Sequence, residues 1–537
     1  GLTDNALWPV LKIVSLSYFL FCFPLLWQAT RLGAARFPCR LGFSSINGKS
    51  FVGLLMAVGA GLATPYFGVN LAAVVCALGG VLLTGTCLVW LRQGSRAKTL
   101  PFLLAAVLFS VITSITVFGG YNDPMFLESL LVGRTHIDQL NTAAFVNITK
   151  TYGIPSTGLD GTPYCAYHWM AMWISAQLCS LLNVDAITFV NLGYAAVIIP
   201  LLMHSVLNFA LDVGFGGDHA SCTHRLRATW SLWGLLFVML LGFAPVHIAA
   251  LLSLGLPSSQ SMGFSLVFLF MLASILFSMA DAAKRGSLSS VPEYVFFILV
   301  VPLLFAMLTM TKLSTGFMAA VVYGYLFLRL ALFRSLGFSA SLIVVLLATV
   351  LALKHASGLA NPEEARASFQ PFHYVTHFLT PGLRPWFFIA HFFWSWLFIL
   401  GACYARGLRT FRDVRNAFRV NNTIDIEIVL ILCVVGVLPG LTLSIPGGSA
   451  IYFSQIQQWA AAALLLAMAA LPQAKLYHPR NCGPSSGRSS VGTRVKTVCG
   501  AVVAIAICAA VAYEAAYLCA YSVYRNVSIR LCLCQGT

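Results

Sequence analysis

The feature that most restricts this 537-residue chain is a series of apolar stretches, each about 17 to 25 residues long, recurring from one end to the other. A helix of that length crosses the hydrocarbon core of a bilayer. Backbone surrounded by lipid must satisfy its own hydrogen bonds, so only helices and closed barrels can span. Roughly fourteen such runs are readable, and the alternating ten-residue strands of a barrel are not seen. The expected fold class is therefore all-α: a polytopic transmembrane helix bundle of about 13–15 membrane segments. Composition agrees, because 59% hydrophobic against 9% charged residues leaves too little polar surface to cover a water-soluble globule of this size. We expect a single transmembrane domain over residues 1–537, multi-pass in an inner or plasma cell membrane, with membrane lipids as its immediate partners. No cleavable signal pattern precedes the first run, which is expected to stay as an anchor.

A net charge of +16 raises the question of nucleic acid. The basic residues lie in short loops between apolar runs, where they act as topology signals, and no nucleic-acid partner is expected. Fifteen cysteines fall mostly singly inside apolar runs, as Cys76, Cys87, Cys179, Cys433 and Cys508 do, and behave there as small hydrophobes rather than as a disulfide framework.

Counting Lys and Arg orients the chain. Arg31, Arg36, Arg40 and Lys49 follow the first run, and Arg92, Arg96 and Lys98 follow the third, which marks both loops as cytoplasmic. Arg406, Arg409, Arg412, Arg415 and Arg419 against the lone Asp413 make the strongest inside signal, followed by Lys475, Arg480, Arg488, Arg494 and Lys496. Residues 120–163, 354–385 and 446–452 are then external. The loop with Arg225 and Arg227 also reads as inside, although 164–182 and 186–211 look like two crossings. An odd number is needed, so one of the two runs, the first being the better choice, should be re-entrant or interfacial with its turn at Asn183 and Asp185.

The longest polar interruption, Gly119 to Trp169, is the place for chemistry. It holds Asp123, Glu128, Asp138 and Asp160, four of the 16 acidic residues of the chain, with His136 and His168. Between Pro124 and Tyr152, Phe126, Leu130, Leu131, Ile137, Leu140, Ala144, Phe145 and Ile148 recur at spacings of three to four, which predicts an amphipathic helix or helix pair within the external loop 120–163. Asp123 before Pro124 has the chemistry of a helix cap, and equally that of a general base at the membrane boundary. Downstream, Gly158-Leu-Asp-Gly-Thr-Pro-Tyr-Cys-Ala-Tyr-His-Trp169 makes a tight turn and opens an apolar helix. Tyr164 and His168 stand four apart on one face of it.

An acidic external loop with an amphipathic helix, followed by Asp-Gly-x-Pro-Tyr-x-x-Tyr-His at the head of a membrane helix, resembles the polytopic GT-C glycosyltransferases of cell-envelope assembly. The resemblance implies transfer of a sugar from a polyprenyl-phosphate-linked donor to a glycan or lipid acceptor at the external face. In that family an acidic residue of the external loop is the base. Asp123 is the matching residue here, with Glu128 or Asp160 as alternatives, and Tyr164 and His168 would shape the pocket.

Lys312, in Met310-Thr-Lys-Leu-Ser-Thr-Gly316, breaks an apolar run. An intramembrane lysine is costly enough to suggest a function, although snorkelling to the interface is the ordinary use. Its chemical use would be to hold the donor phosphate together with Arg384 of Pro381-Gly-Leu-Arg-Pro-Trp386. A divalent metal ion is the alternative carrier of that positive charge; His373 and His377, spaced i, i+4 with His355, Glu363 and Glu364 nearby, are the place to look for ligands, whereas Asp218, His219, Cys222 and His224 fall on the side expected to be cytoplasmic and read as a chance cluster in a loop. Pro446-Gly-Gly-Ser-Ala-Ile-Tyr-Phe-Ser-Gln455 is a Gly-rich turn whose backbone N–H groups could receive an anion. Asn147-Ile-Thr149 is a glycosylation sequon if the source is eukaryotic. The rival functional class is a polytopic transporter or lipid flippase with Lys312, Glu514 and Asp185 lining a path. The lack of an evident inverted repeat counts against it.

Overall fold

The structure, a computed structural model, describes residues 4–33, 46–67, 71–92, 137–154, 168–215, 259–284, 291–359, 368–379, 381–388, 394–405, 408–419, 423–445 and 449–477. These form helices α1 (Asp4–Gly33), α2 (Ile46–Phe67), α3 (Leu71–Arg92), α4 (Ile137–Tyr152) and α5 (Trp169–Leu182). A turn at Ala186–Thr188 and a π-helical stretch, Phe189–Ile198, lead into α6 (Ile199–Phe215). Then come α7 (Gln260–Lys284), α8 (Val291–Thr311), α9 (Leu313–Arg329), α10 (Leu336–Leu359), α11 (Arg384–Phe388), α12 (Trp394–Ala405), α13 (Phe411–Arg419), α14 (Ile424–Thr442) and α15 (Ile451–Tyr477). Strands β1 (Ser368–Phe369) and β2 (Leu443–Ser444) pair antiparallel in the register Ser368↔Ser444.

Among the described residues four helices are long and apolar enough to cross a membrane, within Ile46–Tyr66, Ala196–Val213, Gln260–Ala283 and Ile424–Thr442. A bent pair, Trp169–Leu182 with Ala186–Tyr194, makes a fifth if taken together. Helices that are apolar on every side belong at the centre. Here α6 and α7 occupy it, with Phe209, Phe264, Phe268 and Phe270 all buried, while α15 closes over them with a buried Trp459. By contrast α3 and α10 turn large apolar side chains outward, Val81 at 66% exposure and Leu351 at 64% among them, a surface suited to lipid tails and not to water. Helices also approach closely at glycines, as packing without a hydrophobic drive requires. A Cβ at Gly61 of α2 would collide with the Gln177 carbonyl of α5, and one at Gly79 of α3 would sit 2.5 Å from the Ser15 carbonyl of α1.

The contacts fix which helix ends lie together. Asn47, opening α2, donates to the Ser205 carbonyl of α6 (2.9 Å) and to Ser274 Oγ of α7 (2.7 Å), whereas Gln260, opening α7, donates to the Val190 carbonyl (2.9 Å). Hence α6 and α7 run parallel and α2 runs against them. Thr315 at the start of α9 bonds Ser265 near the start of α7, and the β1–β2 pair follows the end of α14. One end of the bundle thus carries α4, the starts of α7, α9 and α15, and the segments around 368–388 and 443–452. At the other end Arg329, closing α9, bonds Glu427 Oε2 (3.1 Å) near the start of α14 and donates to the Phe418 carbonyl of α13. The described parts of the three segments expected outside share the first end, and 408–419 lies at the second.

The irregular segment expected from the parity conflict falls at α5, where the chain bends by 114° between Trp169–Leu182 and Ala186–Tyr194, the geometry of a broken span or of a re-entrant loop. Its turn is held by lysines from two other helices: Lys12 Nζ donates to the Asn183 carbonyl (3.1 Å) and Lys150 Nζ to the Val184 carbonyl (2.9 Å). Cations suit the carbonyl end of a helix. Asp185 then caps the next one, accepting from the Thr188 amide at 2.7 Å.

The amphipathic helix of the 120–163 loop is seen as α4, and residues 124–136 lie outside the described residues. Its buried stripe differs from the expected one. Ala143, Val146 and Thr149 face α5, while Ala144 is exposed and Phe145 and Ile148 are only half-buried. Small side chains at every third position let α4 lie close on α5, and the bulkier pair flanks that contact.

Candidate functional site

Lys312 is a one-residue joint between two helices. Its N–H bonds the Leu308 carbonyl (2.9 Å), completing α8, and its own carbonyl accepts from the Gly316 N–H (3.0 Å), starting α9. In a straight helix residues seven apart are about 10 Å apart along the axis. Here a Cβ at Gly316 would come within 2.7 Å of Thr309 Cα, so α9 folds back against the last turn of α8. Glycine is what permits that approach. The fold-back turns the Lys312 side chain inward, leaving it 3% exposed.

Two elements close around the ammonium group. His168, preceding α5, places Nε2 3.4 Å from Lys312 Nζ, and Tyr452, in the first turn of α15, lays its ring 3.3 Å from that nitrogen to the centroid. For Lys312 to donate, His168 Nε2 must carry a lone pair, which selects the neutral imidazole protonated at Nδ1. His168 is held at φ 58°, ψ 22°, a left-handed conformation that costs a non-glycine residue about 1–2 kcal/mol. Such strain persists where the surroundings over-determine it, and it collects at working sites. Among the described residues no carboxylate pairs with Lys312. Two further polar atoms nearby in sequence, Ser314 Oγ in the first turn of α9 and Gln455 Oε1 in that of α15, are buried without a hydrogen-bond partner among the described residues. Gln455 follows Tyr452 by three residues and shares its helical face.

The outer wall comes from the 368–388 segment. Tyr374 and Val375 pack with Ala450, and burial, with Tyr452 nearby, pushes the Tyr374 hydroxyl up to about 12, so it is a neutral donor at physiological pH. Arg384, expected to share the grip on a phosphate, bonds the backbone of this segment. Its Nη2 donates to the Thr376 carbonyl (2.8 Å) and its Nε to the Leu379 carbonyl (3.3 Å), which fastens the wall and commits two of its donors to backbone. His373 and His377 stack with ring centroids 5.0 Å apart, and no three His, Cys, Asp or Glu side chains converge on a metal position among the described residues.

The structure brings His168 and Lys312 together and holds Arg384 on the backbone of the 376–379 stretch. Asp123, Glu128, Asp160 and Tyr164 lie outside the described residues, as do the 216–258 loop, Glu514 and the Gly-rich turn at 446–448. Sequence reasoning missed Tyr452 and Gln455, although both stand in the stretch singled out for its backbone amides. The signal was an aromatic and an amide three apart at a helix start. No family model matches the chain, and no curated protein matches it.

Proposed function

We propose that this protein is a multi-pass membrane glycosyltransferase of GT-C type, with about 13–15 membrane segments, that moves a sugar from a polyprenyl-phosphate-linked donor to a glycan or lipid acceptor at the external face. The observation that carries the reading is Lys312: a buried ammonium group, cupped by an imidazole and an aromatic face, with no carboxylate from the described residues to neutralise it. A charge in that position is strongly unfavourable unless an anion joins it. The phosphate of a lipid-linked donor is an anion that reaches this depth with its tail still in the bilayer.

The chemistry follows from that placement. The acceptor hydroxyl oxygen attacks the anomeric carbon, the bond from that carbon to the phosphate oxygen breaks, and the polyprenyl phosphate leaves with one more negative charge. Lys312 stabilises the charge where it develops, in surroundings that exclude water and strengthen the attraction. Asp123 takes the hydroxyl proton, with Glu128 or Asp160 as alternatives. Gln455, Ser314 and Tyr374 offer neutral hydrogen-bonding groups to a sugar.

The test is transfer of a radiolabelled sugar by the full-length protein in liposomes, across a panel of polyprenyl-phosphate donors. We expect one donor to support transfer and Lys312→Met to lower the rate about 100- to 1000-fold, as loss of an electrostatic stabiliser does. No transfer from any donor, or full turnover by Lys312→Met, would overturn the assignment.

A further inference from the structure

At the opposite end of the bundle, α13 makes few contacts with the rest of the described residues. It is nine residues long, has no buried side chain, and touches the bundle where Arg329 donates to the Phe418 carbonyl and covers the Phe418 ring at 3.8 Å. A helix this short is marginal in water, because nucleation costs more than so few turns return. Its start is nonetheless firmly built. The Thr410 amide (2.9 Å) and hydroxyl (2.7 Å) both donate to Asp413 Oδ2, and the Asp413 amide donates back to Thr410 Oγ1 (3.2 Å), a reciprocal cap. Those bonds from Thr410 hold the Asp413 carboxyl below its usual range, so the only acid of α13 is ionised and engaged in the cap.

The remaining side chains divide by helical position. Phe411, Val414 and Phe418 recur at three and four residues and are 83%, 39% and 42% exposed, an apolar stripe that, among the described residues, meets the Arg329 guanidinium at the Phe418 ring. Arg412, Arg415 and Arg419 recur at the same spacing, rotated by about 100° around the axis, and so run along one edge of that stripe. Arg409, just before the helix, lies over the Tyr404 ring at 4.9 Å. An apolar face rimmed by arginines, with no free acid, matches a surface that is hydrocarbon below and anionic above.

We infer that α13 lies in the membrane interface at this end of the bundle and binds anionic phospholipid head groups through Arg412, Arg415 and Arg419, with Phe411, Val414 and Phe418 set into the acyl layer. The partner is the lipid surface and not a soluble protein, because α13 meets the end of α9 at Arg329, and there the neighbouring Leu328 is itself turned outward at 70% exposure. The inference is independent of the proposed catalytic activity.

Hydrogen–deuterium exchange on the full-length protein in nanodiscs tests it directly. Discs of pure phosphatidylcholine are compared with discs containing about 30% phosphatidylglycerol, close to the point where each arginine near the surface gains appreciable attraction. Amides of 411–419 should exchange about tenfold more slowly in the anionic discs, and α14, as an internal reference, should be unchanged. Arg412→Gln/Arg415→Gln/Arg419→Gln should abolish the difference, and salt of about 0.5 M should shrink it by screening. Equal protection of wild-type 411–419 in both kinds of disc overturns the inference, and so does a triple variant that keeps the difference.

Discussion

Gly316 and Gly324 lie on the same helix, and alanine at the two positions should act in opposite directions. Replacing a glycine inside a helix by alanine is worth about 1 kcal/mol of helix propensity, and at Gly324, where a Cβ would meet nothing within 4 Å, that gain should appear as stabilisation. At Gly316 the added carbon would lie 2.7 Å from Thr309 Cα and 2.8 Å from Thr309 Cβ. Ordinary carbon–carbon contact is about 3.5–4.0 Å, so the start of α9 must retreat from α8 by roughly 1 Å. The obstacle is backbone and cannot rotate away. Overpacking of this kind costs about 1–3 kcal/mol, which cancels the propensity gain or exceeds it and sets the two variants about 1–3 kcal/mol apart. Thermal unfolding in detergent, followed by a thiol-reactive dye, reads the difference, because Cys179 and Cys433 are buried and react only on unfolding. We expect Gly316→Ala to unfold several degrees below Gly324→Ala, with wild type between them or level with Gly316→Ala. Equal transitions, or a Gly316→Ala protein more stable than Gly324→Ala, would refute the fold-back at Lys312.

Arg329→Met leaves Glu427 accepting from Tyr325 and Thr423 but without a cation, and side-chain exposures of 13% and 11% make this a largely buried pair, so a loss of about 3 kcal/mol is expected in the same unfolding assay. His168→Asn keeps a residue type that tolerates the left-handed conformation while removing the imidazole; stability should hold and transfer should fall, and an unchanged transfer rate would remove His168 from the site. Asp123→Asn retains capping ability but cannot accept a proton, so the purified protein should fold normally with transfer reduced about 100- to 10,000-fold. Full transfer by that variant passes the base role to Asp160 or Glu128. Arg384→Gln should loosen the 374–379 wall and raise the donor KM more than it lowers kcat, since its guanidinium bonds Thr376 and Leu379 and not the reacting group.

Helix content was legible because bilayer thickness writes itself into the length of apolar runs. The arrangement of helix ends was partly legible from Lys and Arg in short loops, and the mismatch around 164–211 even located the irregular segment. The expectation of a re-entrant or interfacial run at 164–182 came from that count, while the 114° bend itself was beyond reading, since periodicity reports which face of a helix is apolar and not where the helix points. The site divides in the same way. Lys312 announced itself by chemical cost, as a charge where charges are expensive. Tyr452, an aromatic among many, became informative only once α15 placed it against the ammonium group. The backbone bonds of Arg384 were not legible, because a guanidinium beside prolines looks the same whether it awaits a phosphate or fastens its own backbone.

Lys12 ties the bent turn after α5 to a distant part of the chain. The residue is 5% exposed, and its ammonium group donates to the carbonyl of Asn183, 171 positions later in the sequence. A lysine within an inserting helix is disfavoured by roughly 2.5–3.5 kcal/mol when deep in the bilayer. Until the turn emerges from the ribosome, that group can only reach toward lipid head groups and water. The seat of α1 against the bundle thus rests in part on a turn 171 residues further along the chain.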